Sequence, residues 1–247
     1  MSCPLCKHNS DYFGTYQGRI YNRCTFCASV FLDPNNLPSA KAEKKRYDKH
    51  ENSLDNKGYL KFLEPLRNAV VKNQSASQTG LDYGCGPNPV LSKLLKKEGL
   101  RIRQYDIYYH NEASVLQETY DYIVCCEVIE HFHNPYEAFS QLKSLLKPKN
   151  SKLYCKTALL QPEQDFESWA YKNDFTHSFF YSEKALQFLK EEFQFSELVM
   201  QPDYFILETL LLNFQEDNGY LKLLNDSSFS FKRFSFAPFN PSFVFPY

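Results

Sequence analysis

Four groups of residues have types and spacings that could do chemistry. At the start of the chain, Cys3-Pro4-Leu5-Cys6 and Cys24-Thr25-Phe26-Cys27 make two CxxC pairs. Each pair offers two thiolates from one tight turn, and two such turns supply the sulfurs of a tetrahedral zinc site. Redox disulfides or free thiols are the alternative, but no βαβ pattern follows either pair as it would in a thioredoxin-like motif. The second group is Leu81-Asp82-Tyr83-Gly84-Cys85-Gly86, an apolar run that ends in an acid and turns on two glycines before an amphipathic helix. Strand, glycine turn and helix start make a nucleotide-type loop, whose glycines let the backbone approach a ligand without a Cβ in the way. The N–H groups of that first helical turn suit an anionic group. A dinucleotide loop would carry a third glycine, which is missing here. The third group is Glu127-Val128-Ile129-Glu130-His131, placed directly after a strand-like run. The fourth is His177, which fits either a general base or a structural hydrogen bond that fixes its loop.

These residues need elements to hold them. Tyr12, Tyr16, Ile20 and Tyr21 read as a small hairpin between the cysteine pairs. So short a module buries little core, and the metal would supply its stability. The run Asp33-Pro34-Asn35-Asn36-Leu37-Pro38 marks a boundary. Residues 40–46 form a charged helix, with Lys41, Lys44, Lys45 and Arg46 as a solvated face. A second helix over 57–72 puts Tyr59, Phe62, Leu63, Leu66 and Val70 on one side. After the glycine turn, Asn88 is the expected N-cap and Pro89 the first helical residue, with Leu91, Leu94 and Leu95 facing inward.

Residues 101–105 read as a strand ending in Asp106, an acid placed to accept hydrogen bonds from both hydroxyls of a ribose. The stretch 111–120 leaves little room for a helix plus a third strand. The continuous apolar run 122–126 is a strand buried on both faces, and its carboxyl end is where a doubly wound sheet binds ligands. Asn134-Pro135 opens a helix carrying Phe139, Leu142, Leu145 and Leu146. A fifth strand covers 152–160, and a loop and helix over 161–181 carry Trp169, Tyr171, Asp174, Thr176 and His177. Ser182-Glu183 opens another helix, and 196–200 with 204–208 make a closing hairpin. In the tail, Phe229/Phe231, Phe234/Phe236 and Phe243/Phe245 are spaced as extended chain with rings on one face.

The chain of 247 residues holds one large domain, or one plus a small module. A net charge of −1 gives no global basic field for a nucleic-acid backbone. No apolar stretch spans a bilayer and the start lacks a signal-peptide core, so a soluble, cytoplasmic protein is expected. Cys85, Cys125, Cys126 and Cys155 are scattered through apparent strands, unlike a secreted disulfide framework.

Asp82-x-Gly84-x-Gly86 resembles motif I of the class I S-adenosylmethionine (SAM) methyltransferases, [D/E]-x-G-x-G-x-G, with Asn88 in place of the last glycine. The segment YDYIVCCEVIEHFHNPYEAF at 120–139 resembles the fourth-strand region of the same enzymes. RYDKHENSLDNKGYLKFLEPL and the pattern W.Y..D.TH..FYS are similar to a bacterial group of zinc-ribbon methyltransferases. The resemblance implies an α/β fold, a Rossmann-like doubly wound seven-stranded sheet with a small N-terminal zinc ribbon. It divides the chain into a ribbon (1–33), a helical linker or lid (34–78), a SAM-binding domain (79–210) and an aromatic extension (211–247).

On this resemblance SAM is held by Asp82, Gly84, Cys85 and Gly86, with Asp106 and Ile107 at the ribose. Cys126, Glu127 and His131 would form the pocket floor, and Tyr47 and Tyr59, with His50 and Asn52, a lid. An acid before the first glycine would repel a pyrophosphate but suit a cofactor bearing an ammonium and a sulfonium. Zinc would sit on Cys3, Cys6, Cys24 and Cys27, and His177 and His131 are the candidate catalytic residues. A small-molecule acceptor is favoured by the neutral charge and by the aromatic loop around Trp169. RNA methylation with the ribbon as docking module, and a non-catalytic zinc- and nucleotide-binding scaffold, are the alternatives. The oligomeric state is not legible.

Overall fold

A computed structural model describes residues 1–50 and 52–210, together with the backbone of 214–217 and 220–223. The phenylalanine pairs of the tail lie outside the described residues. The chain opens with β1 (Ser10–Tyr16) and β2 (Arg19–Cys24), the expected hairpin, and adds β3 (Val30–Leu32) antiparallel to β2. The cysteine pairs flank this hairpin, and their four Sγ atoms lie within 4.8 Å of one another. Cys3 and Cys27 sulfurs are 3.8 Å apart, Cys6 and Cys24 sulfurs 3.3 Å. A tetrahedral site with zinc–sulfur bonds of about 2.3 Å has edges of about 3.8 Å, so the donor set fits zinc. The amides of Phe26 and Cys27 both donate to Cys24 Sγ at 3.4 Å.

Past a single 3-10 turn, α1 (Ala40–Tyr47) is capped by the Ser39 hydroxyl and α2 (Lys57–Asn73) by the Asn56 side chain. The main unit then alternates: β4 (Thr79–Tyr83), α3 (Val90–Lys97), β5 (Arg101–Tyr105), β6 (Tyr122–Cys126), α4 (Pro135–Leu145) and β7 (Lys152–Lys156). After β8 (Phe179–Phe180) come α5 (Glu183–Glu192), β9 (Glu197–Met200) and β10 (Phe205–Glu208). Strands β11 (Phe214–Asp217) and β12 (Tyr220–Leu223) pair antiparallel with each other.

The central sheet runs β5-β4-β6-β7-β10-β9, with β4, β5, β6 and β7 parallel and β10 antiparallel to both its neighbours. Helices cover both faces. On one, Tyr122 and Val124 of β6 and Tyr154 of β7 meet Leu63, Leu66 and Val70 of α2 and Leu91 and Leu95 of α3. On the other, Ile123, Cys125, Leu153 and Cys155 meet Phe139 and Leu142 of α4 and Leu186 and Leu189 of α5. That double burial is why the β6 sequence is apolar at every position instead of alternating.

The doubly wound sheet is thus present, with six strands among the described residues instead of seven. Between β5 and β6 the chain makes only a 3-10 turn (Ala113–Gln117), held by the buried Val115 and Leu116. Helix α3 starts at Val90 and receives no side-chain cap, so Asn88 does not cap it and Pro89 precedes its first residue. The expected fifth strand ends at Lys156, and the 161–181 segment forms a 3-10 turn (Ala170–Asn173) in place of a helix. No helix among the described residues is long and apolar enough to cross a membrane.

The ribbon does not stand apart. Strand β8 pairs with β3, so a segment far along the chain completes the ribbon's four-stranded sheet. The four cysteines and Phe31 belong to the same buried cluster as the face of the central sheet.

Candidate active site

The glycine turn follows β4 and is pinned to its neighbour, the Gly84 and Cys85 amides both donating to the Tyr105 carbonyl at 2.8 and 3.2 Å. Gly84 (φ +77°) and Gly86 (φ +67°) lie in the left-handed region, where a side chain is strained. A Cβ on Gly84 would also stand 2.6 Å from Val128 Cγ2, whereas one on Gly86 would point into open space. Asp82 is buried below the turn and accepts the Ser92 hydroxyl at 2.7 Å, tying β4 to α3. Asp106, at the end of β5, is also buried. It accepts the Gly86 amide on Oδ2 at 2.9 Å and the Tyr108 and Tyr109 amides on Oδ1 at 2.8 and 3.2 Å. Oδ2 keeps a lone pair for a further donor.

These groups open on one cavity of about 320 Å³, at the small end of the range for ligand sites. The tip of β6 forms its floor with Cys126, Glu127 and His131, and Glu127 is held at φ +55°. A non-glycine residue in that region is strained, a state that persists where surrounding structure over-determines it. Tyr47, His50, Asn52 and Tyr59 line it as well. Helix α1 is fastened there by the fully buried Glu43, which accepts the Tyr108 hydroxyl at 2.8 Å and pairs with His133 Nε2 at 2.9 Å. Asp48 takes the Tyr109 hydroxyl at 2.7 Å, and Arg46 pairs with Asp174 at 2.7 Å. Arg46 is therefore a tether and not part of a solvated face.

The cavity is electronegative. Asp82, Asp106, Glu127 and Asp174 line it, and no lysine or arginine does among the described residues. Burial pushes the Asp82 carboxyl up to about 6, against the pull of the Ser92 hydroxyl and amide. Burial pushes Glu127 up to about 7 and Glu130 well above the carboxylate range, Glu130 being raised further by Glu127. Asp106 is raised by burial and partly restored by its three amide donors. The imidazoles go the other way: burial holds His131 down to about 3 and His177 to about 4, so both rings are neutral at pH 7.

The sequence-based site residues Asp82, Gly84, Cys85, Gly86, Asp106, Cys126, Glu127, His131, Tyr47, Tyr59 and His177 all line this cavity. Ile107 does not; it packs against the main core. Nor does Trp169, whose ring packs at tilted angles against Phe166, Tyr171 and Phe180. The thiols of Cys85 and Cys126 are raised by burial and stay protonated, so neither is a nucleophile. Sequence reasoning named Glu130 and Tyr171 in their segments but gave neither a role of its own. The Tyr171 hydroxyl lies 2.7 Å from Glu130 Oε1 and 3.1 Å from Glu127 Oε2, joining the two acids. A second acid three residues after Glu127 was the available signal.

A family profile described as a methyltransferase domain matches residues 29–198, more than half of the chain. Over 109 residues the sequence is 30% identical to a ubiquinone biosynthesis O-methyltransferase of Histophilus somni, covering 42% of this chain and 43% of that protein. It is 35% identical over 87 residues to the enzyme of the same description from Actinobacillus pleuropneumoniae serotype 7, covering 34% of this chain and 37% of that protein. The chain thus spans less than half the length of either relative. Among solved structures, an O-methyltransferase family protein of Burkholderia thailandensis aligns with a TM-score of 0.50 at 12% identity, covering 70% of this chain and 65% of that one. That likeness shows a shared fold. With the profile running from the ribbon's third strand into β9, the chain belongs to the methyltransferase-domain family.

Proposed function

We propose that the protein is a SAM-dependent methyltransferase acting on a small-molecule acceptor, with zinc on Cys3, Cys6, Cys24 and Cys27 as a structural clip. The observation that carries this reading is the charge of the cavity. A nucleotide-type glycine turn and a buried acid at the end of β5 open on a site lined by carboxylates and, among the described residues, by no lysine or arginine. Such a lining opposes the pyrophosphate of a dinucleotide and suits a nucleoside carrying an ammonium and a sulfonium. The residues fit that group: Gly86 leaves open space where a Cβ would stand, and Asp106 Oδ2 retains an acceptor site. The names of the two relatives support a small molecule with an oxygen acceptor.

When bound, SAM supplies a methyl already activated by sulfonium. The chain's own work is then alignment, which is where most of the rate would come from. Gly84, Gly86 and Asp82 hold the amino-acid end, Asp106 a ribose hydroxyl, and Tyr47 and Tyr59 close over the ligand and exclude water. Neither His131 nor His177 serves as a strong base, because burial keeps each imidazole far below neutral pH.

Calorimetric titration with SAM and with NAD tests the reading. Saturable SAM binding without NAD binding is expected. Gly84→Ala should weaken it by about tenfold or more, since the strained, crowded turn must shift. Preference for NAD, or binding of neither, overturns the assignment.

A further inference from the structure

The last residue of β7, Lys156, is only 5% exposed, and its ammonium has few partners. Nζ donates to the Asp203 carbonyl at 3.3 Å and stands 4.2 Å from the centroid of the Phe62 ring. It forms no ion pair with a carboxylate among the described residues. A buried charge is costly without compensation, and here the face of an aromatic ring supplies part of it. Phe62 is itself 40% exposed, so the core does not account for its position.

Lys156 stands between the floor of the cavity and one of its walls. Cys126 of β6 is its register partner, and its carbonyl accepts the Glu127 amide at 2.9 Å. Its charge also draws the Glu127 carboxyl down against the effect of burial. On the other side, the Phe62 ring stacks on Tyr59 one turn earlier in α2, with 6.1 Å between centroids and 16° between planes. Tyr59 lines the cavity.

The part of α2 that carries Tyr59 has little else to hold it. Pro65 lies inside the helix, has no N–H to give the Lys61 carbonyl, and loosens the helix at that point. Of residues 57–64 only Leu63 is buried, with Tyr59 and Leu60 partly covered, whereas Leu66, Ala69 and Val70 anchor the part after the proline.

We propose that Lys156 is a positioning residue for the methyl donor: through the face of Phe62 its ammonium fastens the first half of α2 to the tip of β7 and so holds Tyr59 over the cavity. Lys156 does not itself line the cavity and acts through Tyr59 and Glu127. The donor's part in this rests on the methyltransferase reading, whereas the fastening does not.

A double-mutant cycle on SAM dissociation, followed by stopped-flow displacement, tests the contact. Phe62→Leu should speed dissociation by about three- to tenfold, and Phe62→Tyr, which keeps the ring face, should stay near the parent. In a Lys156→Met background, Phe62→Leu should change the rate by less than about twofold, because the cation it met has gone. An equal effect of Phe62→Leu in both backgrounds, or none in the parent, overturns the proposal.

The second readout needs no SAM. Glu127 faces Cys126 and Glu130 at the tip of β6, Tyr171 from the loop, Tyr59 from α2 and Lys156 from β7, and Lys156 is the cation among them. Lys156→Met should therefore move the Glu127 titration, followed by carbon NMR and assigned with Glu127→Gln, upward by about half a pH unit or more. A titration that stays put overturns the link to the floor. Should Lys156→Met fail to fold, hydrogen exchange of Phe62→Leu decides: amides of residues 61–64 should exchange about tenfold faster and those of 66–73 at the parent's rate. Uniform or unchanged exchange sinks the proposal. A parent that binds no SAM would instead overturn the methyltransferase reading, and the titration and exchange would still decide the fastening.

Discussion

Two clusters of buried titratable groups dominate this molecule, and they differ in one respect. The four cysteines near the N-terminus face only one another and the main core, and none of them lines the cavity. The acids and imidazoles at the tip of β6 face a cavity. Structural metal sites are closed and reactive sites keep an open position. The first cluster should therefore govern stability and leave affinity alone, and the second the reverse.

Chelating the zinc proposed for the four cysteines is the largest test of that contrast. The cysteines share the buried cluster of the central sheet, and β3 is paired with β8, so loosening the ribbon exposes core shared with the rest of the fold. Chelation should lower the midpoint of thermal unfolding by about 10 °C or more, the effect of a few kcal/mol in a chain of this size. SAM affinity of the chelated protein, measured well below that midpoint, should stay within about threefold. A midpoint unmoved by chelator would remove the closed cluster from the comparison.

Acidification probes the open cluster. A cationic ligand is attracted by ionised carboxylates, and Glu127 and Asp82 titrate at about 7 and about 6 because burial disfavours their charge. Cation binding lowers those values, so affinity is full above them and falls as protons compete below. His131 and His177, at about 3 and 4, stay neutral throughout and contribute nothing to the slope. Between about pH 8 and about pH 5.5, SAM affinity should drop by about tenfold or more, with proton release on binding near pH 6.5. Calorimetry in buffers of different ionisation enthalpy counts those protons. A flat profile would mean that the carboxylates do not face the cation.

The same contrast explains what the sequence could and could not reveal. The closed cluster was legible because its cysteines come in pairs three residues apart, a purely local pattern. Strand β6 was legible because burial on both faces makes it apolar throughout, and the turn because its left-handed positions are glycines. The open cluster was legible only in halves. Glu127 and His131 were placed by the strand before them, but Tyr171 and Glu130 meet through the fold, with no periodicity to join them. Strand β8 has two residues, too few to show an alternation, so its pairing with β3 left no trace. Trp169 misled for a related reason: an aromatic in a loop looks the same in sequence whether it meets a ligand or, as here, Phe166 and Phe180.

Arg46 gives the smallest and sharpest test, because it links the lid to the open cluster without touching the closed one. Its guanidinium meets Asp174 at 2.7 Å, joining α1 to the loop that carries His177, and Asp174 is held below the usual carboxylate range by its Thr176 contacts and the nearby charges. The arginine side chain is one-third exposed, so solvent screens the pair and its removal should cost stability only about 0.5 kcal/mol. In Arg46→Met the aliphatic stem is kept while the tether is lost. Tyr47, the next residue, packs edge-on to His131 at 5.3 Å between ring centroids, so loosening α1 frees a wall of the cavity. SAM affinity should fall by about two- to fivefold through faster dissociation, with the unfolding midpoint shifted by about 2 °C or less. Stopped-flow displacement and thermal unfolding on the same sample separate the two effects. An unchanged dissociation rate would show that α1 is packing and not a lid, and would shrink the open cluster to the tip of β6 and the glycine turn.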